Sequence, residues 1–186
     1  MIGFVMLDVT TQAIDRFYRK KDYYSFKNYC KQQLDLPQEL KDHIQQQEFD
    51  LIEEPNKSSP SREWRINFGN YKTGEFDASF STVLKISKVA PLFYIQHEFE
   101  VQNKDENAID PHLTGSSGLG YILEQGNLYY EKISPILTQK SYTELEYADM
   151  HETVEGLKMP EGVTKFGRNV TVEHLLFIDV LGICNT

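Results

Sequence analysis

His97 is the residue in this chain best placed for proton chemistry. It stands between Ile95 and Phe99 in a run that alternates in polarity, so it projects from the apolar face of a strand. A histidine there is either a neutral, hydrogen-bonded part of the core or a base lining a pocket. Asp110 and His112, in the segment that follows, are the groups that could join it. The trio His97, Asp110 and His112 is therefore the candidate pocket of a small-ligand binder or small enzyme, beside the 92–101 strand. The remaining histidines, His43, His151 and His174, create no His-x3-His, His-Glu-x-x-His or Cys/His spacing, so no metal site is expected. No Gly-x-Ser-x-Gly elbow presents a nucleophile. No catalytic residue is assigned and no cofactor is expected, so the chain reads more readily as a non-catalytic protein than as an enzyme.

Surface chemistry offers the stronger candidate. Tyr142, Glu144, Glu146, Tyr147, Asp149 and Glu152 follow one another closely, with Glu155 just beyond. Tyrosine supplies contact area at low entropic cost, and carboxylates steer association with a cationic partner. The whole chain supports that sign: 19 basic against 28 acidic residues give a formal charge of −9. Such a field repels nucleic acid and favours a protein partner with a basic surface. An acidic inhibitor of the immunity or antitoxin type, masking a basic partner, fits this physical type.

Thr114-Gly115-Ser116-Ser117-Gly118-Leu119-Gly120 has the composition of a phosphate-cradling turn. That turn needs a buried strand before it and a βαβ unit after it. Asp110-Pro111-His112 is no buried strand, and too little chain follows Gly120. The stretch is read as a loop that could make a mobile surface contact.

The elements that must position these residues follow from periodicity. Met1–Leu7 reads as a short buried strand and lacks the marks of a secretory signal. Thr10 or Thr11 caps a first helix with Ile14, Phe17 and Tyr18 inward. A second helix carries Phe26, Tyr29, Cys30 and Leu34. Asp35 and Pro37 start a third, whose buried face runs Leu36, Leu40, Ile44 and Leu51. A loop near 54–62 follows. Strict alternation over about 63–102 predicts an antiparallel meander with one apolar and one wet face. Residues 118–139 read as a kinked helix or a hairpin at Gly126-Asn127. Ser141 and Glu144 form a capping box for a short helix to His151, a loop spans Gly156 to Gly167, and 172–181 is helix or strand.

The expectation is one α+β domain over 1–186, with the meander packed on N-terminal helices and further short helices toward the C-terminus. No run is long enough to span a membrane. Cys30 and Cys184, far apart in sequence and outside any Cys-x-x-Cys pair, read as two reduced, buried thiols of a cytoplasmic protein.

Overall fold

The computed structural model describes residues 7–55, 58–105, 107, 112–159 and 169–185. Residues 1–6 of the expected first strand, Asp110 and the glycines at 162 and 167 lie outside them; Leu7, its last residue, is exposed and precedes α1 directly. α1 (Asp8–Ile14) runs into a π turn (Asp15–Arg19), and together they bury Ile14, Phe17 and Tyr18 as the stripe predicts. Thr10 is not the cap; it is buried within the helix. Lys21 takes a φ of 59° and separates α1 from α2 (Tyr23–Lys31), which Asp22 caps by accepting from the Ser25 N–H at 3.3 Å. α3 (Gln38–Gln46) begins directly after Pro37. Asp35 is not its cap, because its carboxylate meets the Arg62 guanidinium at 3.0 Å. The helix buries Leu40 and Ile44 and ends at Gln46, so Leu51 falls instead on an unforeseen strand, β1 (Asp50–Glu53).

The meander is present. β2 (Ser61–Thr73), β3 (Phe76–Ser87) and β4 (Leu92–Asn103) pair antiparallel in sequence order, flanked by β1 and by β5 (His112–Ser117). Together with the helices at both ends this makes the fold α+β. Register sets the faces. Trp64, Ile66, Leu84, Ile86, Phe93 and Ile95 are buried in one hydrophobic cluster with Leu36, Leu40 and Ile44. The second cover of that face is helical, not a hairpin: α4 (Leu123–Leu128), a π turn (Tyr129–Ile133) and α5 (Ser134–Gln139) run on end to end and bury Leu128, Ile133 and Leu137. Pro135 has no N–H to give to the preceding turn, and the widened π turn lies just before it.

The opposite face is divided. Near Leu92 and Tyr94 it is roofed by α1, α2, α6 (Tyr147–Met150) and α7 (Val172–Leu176), with the hairpin β7 (Thr153–Lys158) and β8 (Asn169–Thr171), around a second hydrophobic cluster. Within the roof Tyr18 donates to the Leu175 carbonyl at 2.5 Å, and Lys85 of β3 meets Glu173 of α7 at 3.1 Å, fastening the roof to the sheet. Farther along, the same face is open and polar.

The C-terminal third corrects the sequence reading most. Thr143–Leu145 is a strand, β6, not the first turn of a helix; it pairs parallel with Leu92–Tyr94 of β4, a free edge that local capping signals cannot reveal. Gly156 lies within β7, not a loop. The 172–181 segment is neither one helix nor one strand: Thr171 ends β8 and caps α7, which stops at Leu176. Cys30 and Cys184 are buried, as expected, but joined as a disulfide across 154 residues, with Cα atoms 6.0 Å apart. Separation along the chain says nothing about separation in space, which is why the pairing escapes the sequence.

Most of the glycine-rich stretch is also strand. Gly115 lies opposite Phe99, and a Cβ built there would sit 2.3 Å from the Phe99 ring. Only a residue without a side chain lets the ring lie across β5. Gly115→Ala should therefore cost roughly 1–3 kcal/mol of stability, the usual penalty of overpacking, read as a lowered denaturant midpoint.

Candidate functional site

His97 is fully buried, its Nδ1 2.8 Å from the Thr82 hydroxyl and its ring edge-on to Tyr129 at 6.1 Å. Burial pushes its pKa down to about 4, so it is neutral at ordinary pH. His112 does not approach it. It pairs in register with Gln102, five positions from His97, and shares the wet face with Glu100, 3.6 Å away. Asp110 lies outside the described residues. His97 is the hydrogen-bonded core histidine of the two readings, and His97 and His112 do not converge on a pocket.

Beside the same strand, on the opposite face, runs an open polar trough of about 480 Å³ lined by Arg65, Ser79, Ser81, Gln96, Glu98 and Glu100, with Thr114 and Ser116 from β5. Arg65 is ion-paired with Glu98 and donates to Ser81 at 2.8 Å, so its charge is already matched inside the sheet.

The tyrosine-rich site arises from a break in the sheet edge. β5 pairs with β4 over His97–Gln102, and β6 pairs with it over Leu92–Tyr94. Ile95 and Gln96 are left without a registered partner on that side among the described residues. A cleft of about 440 Å³ opens there, lined by Tyr94, Tyr129, Tyr130, Glu144, Glu146 and Tyr147, with Leu119 at its mouth. The π turn places the neighbouring Tyr129 and Tyr130 side by side, ring centroids 4.6 Å apart. Tyr130 and Tyr147 are 66% and 65% exposed and Leu119 is 71% exposed, so three large side chains with apolar surface meet solvent around one cleft.

Glu144 is half-buried. Its Oε2 accepts from the Tyr129 hydroxyl at 3.0 Å and the Ser134 hydroxyl at 3.4 Å. Burial raises its pKa against the pull of those two donors, and burial with the Glu144 bond lifts Tyr129 to about 12. Tyr147 stacks on the His151 ring at 4.0 Å, and His151 Nδ1 lies 2.9 Å from the Tyr147 carbonyl.

No protein-family model matches the sequence, and no curated protein or solved structure matches it at a significant level.

Of the six residues singled out from sequence, Glu144, Glu146 and Tyr147 line the cleft. Tyr142 lies in a separate hollow with Arg16 and Tyr29. Asp149 accepts from the Glu146 N–H at 2.8 Å and so shapes the site without lining it. Glu152 is partly buried, and its pKa is raised by burial and then by neighbouring Asp149. Tyr94, Leu119, Tyr129 and Tyr130 were missed, because only the break in the edge of β4 and the π turn bring them to Glu144. Among the described residues no group of three potential metal ligands gathers, and no helix is long and apolar enough to cross a membrane.

Proposed function

We propose that this protein is a non-catalytic binding module that docks on the basic surface of a protein partner through the cleft between β5 and β6, in the manner of an immunity- or antitoxin-type inhibitor. The observation that carries the reading is the concentration of exposed tyrosine and leucine around Glu144 and Glu146, in a chain of net charge −9. Apolar area of this kind supplies affinity after desolvation, and the acidic surround supplies steering toward cations. Neither nucleic acid nor a membrane is part of the proposal, since both carry the sign that this field repels. Masking a cationic cleft on the partner would be steric and electrostatic and needs no reacting group.

Charge reversal tests it. Glu146→Lys combined with Glu152→Lys should lower the association rate with the basic partner, once that partner is isolated by affinity capture on the parent chain, by about tenfold or more at low salt and flatten its salt dependence. Stopped-flow association over a salt series measures both. An unchanged rate removes this face from the interaction. Asp149 is left intact because it holds the Glu146 backbone.

The reading places the protein in the cytoplasm. The Cys30–Cys184 bond weighs against that placement, since cytosolic thiols are held reduced. Alkylating the protein in denaturant at the moment of cell lysis decides it, since both cysteines are buried in the folded chain: two labelled thiols support the cytoplasm, none an oxidising compartment.

A second reading, a small polar ligand beside the 92–101 strand, is favoured by the trough with Arg65, Gln96 and Glu98. There the ligand would have to displace an existing ion pair, which is why the cleft is preferred.

A further inference from the structure

We propose that the cleft is a pocket for a single arginine side chain of the partner, its guanidinium between the Tyr130 and Tyr147 rings and its N–H groups on Glu144 and Glu146. The inference rests on the docking reading and names the group that enters.

Three features of the cleft converge on a planar cation. First, its charge is unmatched. No lysine or arginine lines it, and neither Glu144 nor Glu146 forms an ion pair among the described residues. The polar trough differs on this point, because Glu98 there is already paired with Arg65.

Second, Glu144 is oriented in advance. Both of its described hydrogen bonds fall on Oε2, from Tyr129 and Ser134, so Oε1 accepts nothing from a described residue. A carboxylate fixed on one oxygen and open on the other is suited to a donor arriving from the cleft, and its immobilisation has been met by folding rather than by binding.

Third, the walls are aromatic. Tyr94, Tyr129, Tyr130 and Tyr147 surround the two carboxylates. Guanidinium is flat, weakly hydrated and stacks on rings while keeping in-plane donors for carboxylates. Ammonium is compact, holds its water more strongly and has no plane to stack. The arrangement therefore selects arginine over lysine.

Titration of the full chain with N-acetyl-arginine amide, followed by the ring resonances of Tyr130 and Tyr147 at constant ionic strength, tests this. A pocket that takes one side chain should saturate with a Kd in the roughly millimolar range. N-acetyl-lysine amide should bind at least fivefold more weakly, and the neutral N-acetyl-citrulline amide should not saturate. Glu146→Gln and Tyr130→Ala, both at exposed positions, should each weaken arginine at least threefold while the chain stays folded at the titration temperature, as its unchanged buried methyl resonances show. Shifts that fail to saturate, equal binding of lysine, or binding unchanged in both variants would overturn the proposal. The two readings fail separately. If the partner's association rate responds to charge reversal but arginine amide leaves the cleft untouched, this inference alone falls. If arginine amide saturates the cleft while that rate is unmoved, the docking reading falls and the pocket stands.

Discussion

Replacing Cys30 and Cys184 together by alanine, or reducing the bond, should lower stability by about 2–5 kcal/mol. The bond ties the buried face of α2 to a turn near residue 184 and closes 154 residues of chain. In the chain-entropy account a closed loop of that length restricts the unfolded ensemble enough to reach the upper end of the range, and losses in that range are common when a native disulfide is removed. Both sulfurs are buried, so the alanine pair also loses a little packing. Denaturant unfolding with and without reductant measures the effect. The double variant should be insensitive to reductant, whereas the natural chain should shift to meet it. A natural chain whose midpoint ignores reductant, and which takes up two alkyl groups when denatured without it, holds no such bond.

Acid should loosen the structure through His97. Its folded pKa is about 4, below the roughly 6.5 of an unfolded chain. Between those values the unfolded state binds the additional proton, so stability rises with pH. The neutral-histidine contribution is therefore whole above about pH 6.5 and is lost as pH falls toward 4. It amounts to at most about 3 kcal/mol. His43 and His174 are shifted the same way by burial, and Glu144, raised by burial, has the opposite sign. A difference measurement isolates His97. In Thr82→Val/His97→Leu, donor and acceptor leave together, so no buried polar group is stranded. The variant should be less sensitive to acid than the parent by about 2–3 kcal/mol between pH 6.5 and 4. Parallel stability curves would show that His97 carries no such load.

The sequence discloses what depends on neighbours along the chain. Alternation from Trp64 to Val101 gives three strands and their apolar face, including the correct side for His97 and for Glu98, but not the second hydrophobic cluster that covers the other face around Leu92 and Tyr94. The stripe Ile14, Phe17 and Tyr18 gives the first helix. What it conceals depends on neighbours in space. β1, β5 and β6 are short and lean on longer strands for their definition: Thr143–Leu145 has helix-start chemistry of its own, but the free edge of β4 claims it. The site divides in the same way. Glu144, Glu146 and Tyr147 are local and legible. Tyr129 and Tyr130 reach them only through a widened helical turn, and the hollow between them exists because two strands share one edge without meeting.

That shared edge belongs to a strand with a double allegiance. Phe93 and Ile95 enter one hydrophobic cluster, and Leu92 and Tyr94 enter the other. Among the described strands, β4 alone gives side chains to both. Change elsewhere can be absorbed on one side of the sheet while the other holds its shape; change in these four consecutive residues is felt on both. The span 92–95 is thus the hinge pin of the molecule's tolerance to mutation, and it is also the stretch beside which the cleft opens. A lineage free to redraw its acidic rim would have little liberty to move the ground on which that rim stands.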